Sequence, residues 1–163
     1  YTNIVYDVIK NSYVSNMLEY TYLVNDNSFN IYKLLKLCLH KIESKVSEKI
    51  VVSYFLAKLL KEHGFMFKYQ KTDYDYVGYS FQKNSFVDKF NTDYSVYGLN
   101  EHLVKLTYYL SIKNIDFLES LEIENKDLIR LFSFFNMLFK EFIGVETKSY
   151  KKILELEEIL GSK

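Results

Sequence analysis

Phe55-Leu56-Ala57-Lys58-Leu59-Leu60-Lys61-Glu62-His63-Gly64-Phe65 reads as a helix that stops on a glycine, with an aromatic residue directly after it. Phe142-Ile143-Gly144-Val145-Glu146-Thr147-Lys148-Ser149-Tyr150-Lys151-Lys152-Ile153 repeats the theme about 80 residues later, and its Lys148-Ser149 opens a last helix. A glycine just past a helix accepts the left-handed backbone that closes it. A serine at the following start can cap the exposed amides of the next one.

Outward from these two ends the pattern is helical and is interrupted once. Apolar residues at three- and four-residue spacing predict helices over about 3–24, 28–43 and 47–63. Thr2 or Asn3 is the expected cap of the first, and Asn25-Asp26-Asn27-Ser28 the loop before the second. Short links make these three antiparallel neighbours. Between Gly64 and Gly98 aromatics mix with Thr, Asp, Asn and Ser, and Tyr76-Val77-Gly78-Tyr79-Ser80-Phe81 favours strand. That stretch predicts an irregular, aromatic-rich insert with one or two short hairpins, of the kind that often carries function. Helices resume over about 100–112, 115–121, 126–143 and 149–160. Asn125 is the expected cap of the long one, whose apolar residues cover most of its circumference and predict the central position. The fold class is mainly α: one compact domain, a bundle of about six helices with the insert at about 64–98.

The two glycine-ended segments, in this order, resemble the C-terminal helical domain of the bacterial RecO recombination mediators. That family reads Phe-x-Leu-x-Leu-Leu-x-x-Leu-Gly-Tyr in the first place and Leu-Gly-x-x-Leu-Lys-Ser-x-x-Phe-Leu in the second. The likeness runs from Tyr13 to Ile153. It implies a non-enzymatic role in DNA repair and recombination: binding single- and double-stranded DNA, annealing strands, and helping RecR and RecA displace single-stranded-DNA-binding protein. It also implies that the family's N-terminal OB-fold is not in this chain. Many RecO proteins hold a structural zinc in the insert by two Cys-x-x-Cys pairs. The first pair would fall on Thr72 and Asp75 here, so the likeness is to a zinc-less variant with no cofactor.

Composition sets limits of its own. The 163 residues are 48% hydrophobic, enough for one buried core, with 21 basic and 21 acidic residues in balance. A neutral chain with one arginine, Arg130, is not coated in positive charge for nucleic acid. Sixteen tyrosines beside a single alanine, Ala57, point to codon composition before function. Cys38, the lone cysteine, reads as a small buried apolar residue and suits a reducing, cytoplasmic setting. No apolar run is long enough to cross a membrane, and no signal peptide is visible. A start at Tyr1 rather than methionine points to a fragment.

Catalytic constellations are absent from the reading. His40, His63 and His102 have no second ligand at helical spacing, and no phosphate loop or nucleophile elbow occurs. Asp73, Asp75, Asp88 and Asp93 lack the spacing of a calcium loop. Glu155, Glu157 and Glu158 read as a solvated face of the last helix.

Charge supplies the positive hint. Nine lysines lie between Lys33 and Lys71 against Glu43, Glu48 and Glu62, a local balance of +6. Lys33, Lys36, Lys41, Lys45, Lys49, Lys58 and Lys61 are therefore candidates for holding DNA phosphates or an acidic peptide, with Lys148, Lys151 and Lys152 near the second segment. The opposing reading is that they solvate the outer faces of two helices. In the family this domain also receives the acidic C-terminal tail of single-stranded-DNA-binding protein, which needs an apolar pocket and a basic clamp. RecO proteins often place an arginine just before the first Phe. Ser53 and Tyr54 stand there in this chain, which leaves Lys49 or Lys58 as the clamp. The competing functional class is a helical scaffold or protein-interaction domain with no nucleic-acid role.

Overall fold

The fold, a computed structural model, describes residues 2–24 and 30–161, with side chains from Tyr6 onward. Thr2 and Asn3, the expected caps, fall within the first turn of the described backbone but before the described side chains, and the loop at 25–28 lies outside the described residues. In chain order come α1 (Thr2–Leu23), α2 (Ile31–Glu43), α3 (Glu48–Glu62), β1 (Tyr76–Ser80), β2 (Ser85–Asp88) and β3 (Val96–Gly98). Then follow α4 (Glu101–Ile112), a 3₁₀ turn (Ile115–Ser120), α5 (Asn125–Leu138), a π turn (Phe139–Ile143) and α6 (Lys148–Gly161). The mainly α class with one inserted sheet is thus the observed one. Among the described helices none is long and apolar enough to cross a bilayer.

The hub is α3, not α5. Every residue from Lys49 to Ala57 is buried, and α1, α2, α4 and α5 all pack on this helix. Its run Ile50-Val51-Val52 and Phe55-Leu56-Ala57 is apolar on every side, which suits a helix with no solvent face. α5 contributes Leu131, Phe132, Phe134, Phe135 and Leu138 to the same core but keeps Arg130 exposed.

Both glycine ends behave as expected. At Gly64 (φ +86°) the amide donates to the Lys61 carbonyl and the Phe65 amide to that of Leu60, the paired bonds of a Schellman close. Gly144 (φ +76°) ends the π turn in the same left-handed conformation. The two ends also meet: the rings of Phe65 and Phe142 lie 5.0 Å apart. Segments distant in sequence are therefore one junction in space.

Starts were less legible. The cap of α2 is Asn30, whose side chain accepts from the Lys33 amide. α5 has Glu124 at its N-cap without a side-chain bond, and Asn125 instead accepts from the Lys49 ammonium. The amides of Lys148 and Ser149 are capped from another helix, donating to Glu19 Oε2 (2.7 Å) and Oε1 (2.8 Å). Ser149 Oγ serves as an acceptor for Asn16. A carboxylate at a helix N-terminus satisfies orphan donors and opposes the helix dipole, so α1 both packs on α6 and starts it.

The insert is an antiparallel sheet in the order β2-β1-β3. Phe86 packs on Phe67 and Tyr79, and Phe67, Tyr79 and Tyr97 each meet Phe134 of α5. Aromatic burial supplies the order there.

Candidate functional site: a groove with two converging lysines

Two of the candidate lysines, and Lys71 beyond them, are spent inside the fold or on nearby acids. Lys41 bonds Asp116 (2.9 Å) and Glu119 (2.6 Å), pinning the 3₁₀ turn to α2, and those two carboxylates raise its pKa. Lys49 is buried against Glu157 (2.7 Å) and Asn125, with the Tyr13 ring 5.8 Å away. Glu157 is only 5% exposed, so the acidic run of α6 is not wholly a solvated face. Lys71, farther along, pairs with Asp75 (3.2 Å) and Glu101 (3.4 Å). Lys33, Lys36 and Lys45 are exposed on and just after α2. The +6 of the sequence is therefore not one field, because much of it is neutralised by residues far along the chain.

Two lysines behave differently. Lys58 and Lys61, on successive turns of α3, both aim their amines at the Ser111 carbonyl, at 2.9 and 3.5 Å. Neither has a carboxylate within ion-pair distance among the described residues. The Lys58 amine also sits 5.1 Å from the Tyr54 ring centroid. Burial first, and then the Lys61 charge, hold the Lys58 pKa below the usual lysine range. Two cations crowded on one carbonyl at the C-terminal end of α4 form a place where an anion would relieve repulsion.

An open groove of about 530 Å³ adjoins them, between the end of α3, the extended strip after Gly64, and α4. Lys61 and Ser111 form its polar edge, and Phe65, Tyr69, Tyr108 and Ile112 its apolar wall. Met66 (71% exposed) and Ile112 (44%) stand open to solvent there. Apolar side chains left exposed beside a cation pair suit a ligand with an apolar group and a carboxylate.

Ser53 and Tyr54, where the family pattern often has arginine, are both buried, so neither faces this groove as a clamp. Lys58 follows Tyr54 by one helical turn on α3. The role of the Ser111 carbonyl carried no signal in the sequence, since backbone acceptors are the same in every residue. Lys148, Lys151 and Lys152 are exposed on α6, and none of them lines this groove. Cys38 is buried among apolar neighbours, and burial pushes its thiol up to about 12, which keeps it an inert thiol.

No three His, Cys, Asp or Glu side chains gather as a metal site requires among the described residues. Elemental analysis of the purified chain is expected to find no stoichiometric zinc. A content near one zinc per chain would mean that the insert is organised by ligands other than its rings.

The fold is a helical bundle carrying an aromatic-seamed sheet, with an open groove edged by Lys61. The profile described as Recombination protein O C terminal matches residues 6–151, and the chain belongs to that RecO DNA-repair family. The chain is 27% identical over 137 residues to proteins named DNA repair protein RecO from Staphylococcus aureus strains MRSA252 and Newman. Each match covers 78% of this chain and 55% of the relative, so the chain spans about half the length of the relatives it matches. No solved structure gives a significant match.

Proposed function

We propose that this chain is the helical domain of a cytoplasmic, non-enzymatic recombination mediator, which binds DNA and receives the acidic C-terminal tail of a single-stranded-DNA-binding protein. RecR- and RecA-like proteins are its further partners. The observation that carries the tail reading is the Lys58–Lys61 pair converging on Ser111 at the edge of an apolar groove. A terminal carboxylate takes the two ammoniums, and a terminal ring enters beside Tyr108 and Phe65. Of Lys49 and Lys58, the two clamps expected from sequence, only Lys58 offers an amine without an acidic partner.

A peptide ending in Asp-Phe-Pro-Phe is expected to bind at micromolar affinity, about 8 kcal/mol. Deleting its last Phe should cost about 2–3 kcal/mol, and added salt should weaken it because lysine is a point charge rather than a fork. Affinity should also fall as pH rises, beginning below the ordinary lysine range. Lys58 sheds its proton early, and the carboxylate binds only the charged form. Calorimetric titration of the intact and Phe-deleted peptides, with Lys58→Ala and Lys61→Ala variants, tests this. Equal binding of both peptides, or variants that bind as well as the parent, would leave a helical scaffold without this partner as the better account.

A further inference from the structure

A second basic surface lies along the seam of α1 and α6. One open groove of about 590 Å³ runs beside Leu18, Glu19 and Tyr22 to Lys148. Another, of about 580 Å³, begins at the same Lys148 and continues past Tyr20, Tyr150 and Leu154 to Lys140, with Lys151 on its edge. Lys148 lines both, so the two grooves adjoin at its side chain, and together they are called the trough. Its lining carries both cations and rings: Lys140, Lys148 and Lys151 with Tyr20, Tyr22 and Tyr150.

The acids beside the trough are already engaged. Both oxygens of Glu19 are taken by the first amides of α6, and Glu146 pairs with Lys140 at 3.2 Å. Lys148 and Lys151 have no carboxylate within ion-pair distance among the described residues, so their charge faces outward. Tyr22 is 84% exposed, with Leu18 and Leu23 also open beside it. A tyrosine left in water at the mouth of a lysine-edged trough can stack on an unpaired base.

We propose that this trough is the track for a single strand of DNA on this domain, with phosphates on Lys148 and Lys151 and a base on Tyr22. The placement rests on the DNA-binding part of the function proposed above and, among the candidate lysines, selects those of α6 over those of α2 and α3. Charge complementarity selects the occupant: the unpaired lysines are positive, and the rings line open grooves rather than a closed pocket. A duplex keeps its bases stacked inside and has no face to offer Tyr22.

The test is fluorescence anisotropy of a labelled oligothymidylate with this chain at several salt concentrations. Lys148→Gln/Lys151→Gln is expected to lose at least tenfold in affinity at low salt. Its salt slope should fall by about 1.4, the share of two phosphates on a single strand. Tyr22→Ala should lose about fivefold or more, with the slope unchanged and duplex binding unaffected. Lys105→Gln/Lys126→Gln, an equal change of charge elsewhere, should leave affinity and slope as they were. Matching thermal melts by circular dichroism show that each variant is folded. An α6 pair that keeps the parent's affinity and slope overturns the track. If the loss appears in Lys33→Gln/Lys36→Gln instead, the domain binds DNA but not here. A parent chain that binds no oligonucleotide at low salt removes both the track and the DNA-binding part of the proposed function, while the peptide titration stands apart.

Discussion

Glu157→Ala is expected to lower the unfolding free energy by about 3–5 kcal/mol, the range for breaking a buried ion pair from one side. Glu157 on α6 accepts from Lys49 of α3 at 2.7 Å and from the Tyr13 hydroxyl of α1 at 3.1 Å. Removing the carboxylate strands the Lys49 ammonium in the core with Asn125 alone and leaves Tyr13 without its acceptor. Burial, and then the Glu157 charge, push the Tyr13 hydroxyl far above the usual phenol range, so it cannot adapt by ionising. The second Glu157 oxygen is buried with no hydrogen-bond partner, so part of the cost of holding this charge is already present in the native state. The double variant Lys49→Met/Glu157→Leu should therefore recover most of the loss, because both desolvation penalties vanish together. Urea melts of the two single variants and the double variant check this. A single-variant loss under about 1 kcal/mol would mean that the pair is solvated and holds α6 weakly.

Phe134→Ala is expected to cost about 3–5 kcal/mol, as for other large buried rings cut to alanine. The Phe134 ring is fully buried on α5 and meets rings of β1, of β3 and of the strip after Gly64. Tyr79 of β1 lies at 5.3 Å, Tyr97 of β3 at 5.7 Å and Phe67 of the strip after Gly64 at 6.2 Å. The Phe134 ring thus joins the sheet to the helices, and the groove beside Lys61 shares its Phe67 wall. The same truncation at Phe90, 64% exposed on the insert, should cost under about 1 kcal/mol. Denaturant titration of both variants measures the contrast, and similar losses at the two sites would show that the insert does not depend on its seam with α5.

The helices could be read without the structure because their causes are local. Gly64 and Gly144 announced two helix ends that the left-handed backbone confirms, and the alternating aromatics near Tyr79 announced strand. Even the resemblance to a recombination mediator rested on such short patterns. Caps were harder to read, since Ser149 and Asn125 have the right chemistry at the right place and yet serve other partners. Glu19 starts α6 from 129 residues away. Nothing near Ser149 could report that.

Charge shows the same division. A run of lysines in sequence is a fact about composition, but a basic surface is a fact about neighbours. Lys41 loses its field to Asp116, 75 positions later, and Lys49 to an α6 glutamate that the sequence presents as one of three solvated acids. Lys58 and Lys61 retain theirs because the chain end of α4 meets them with a carbonyl rather than a carboxylate. Periodicity and glycine placement, which act over a few residues, were enough to specify a mainly helical domain with one sheet-forming insert. Which helix is central, which lysines face outward and where an apolar groove stays open were decided by packing, because Coulomb and burial energies depend on distance in space and not on distance along the chain.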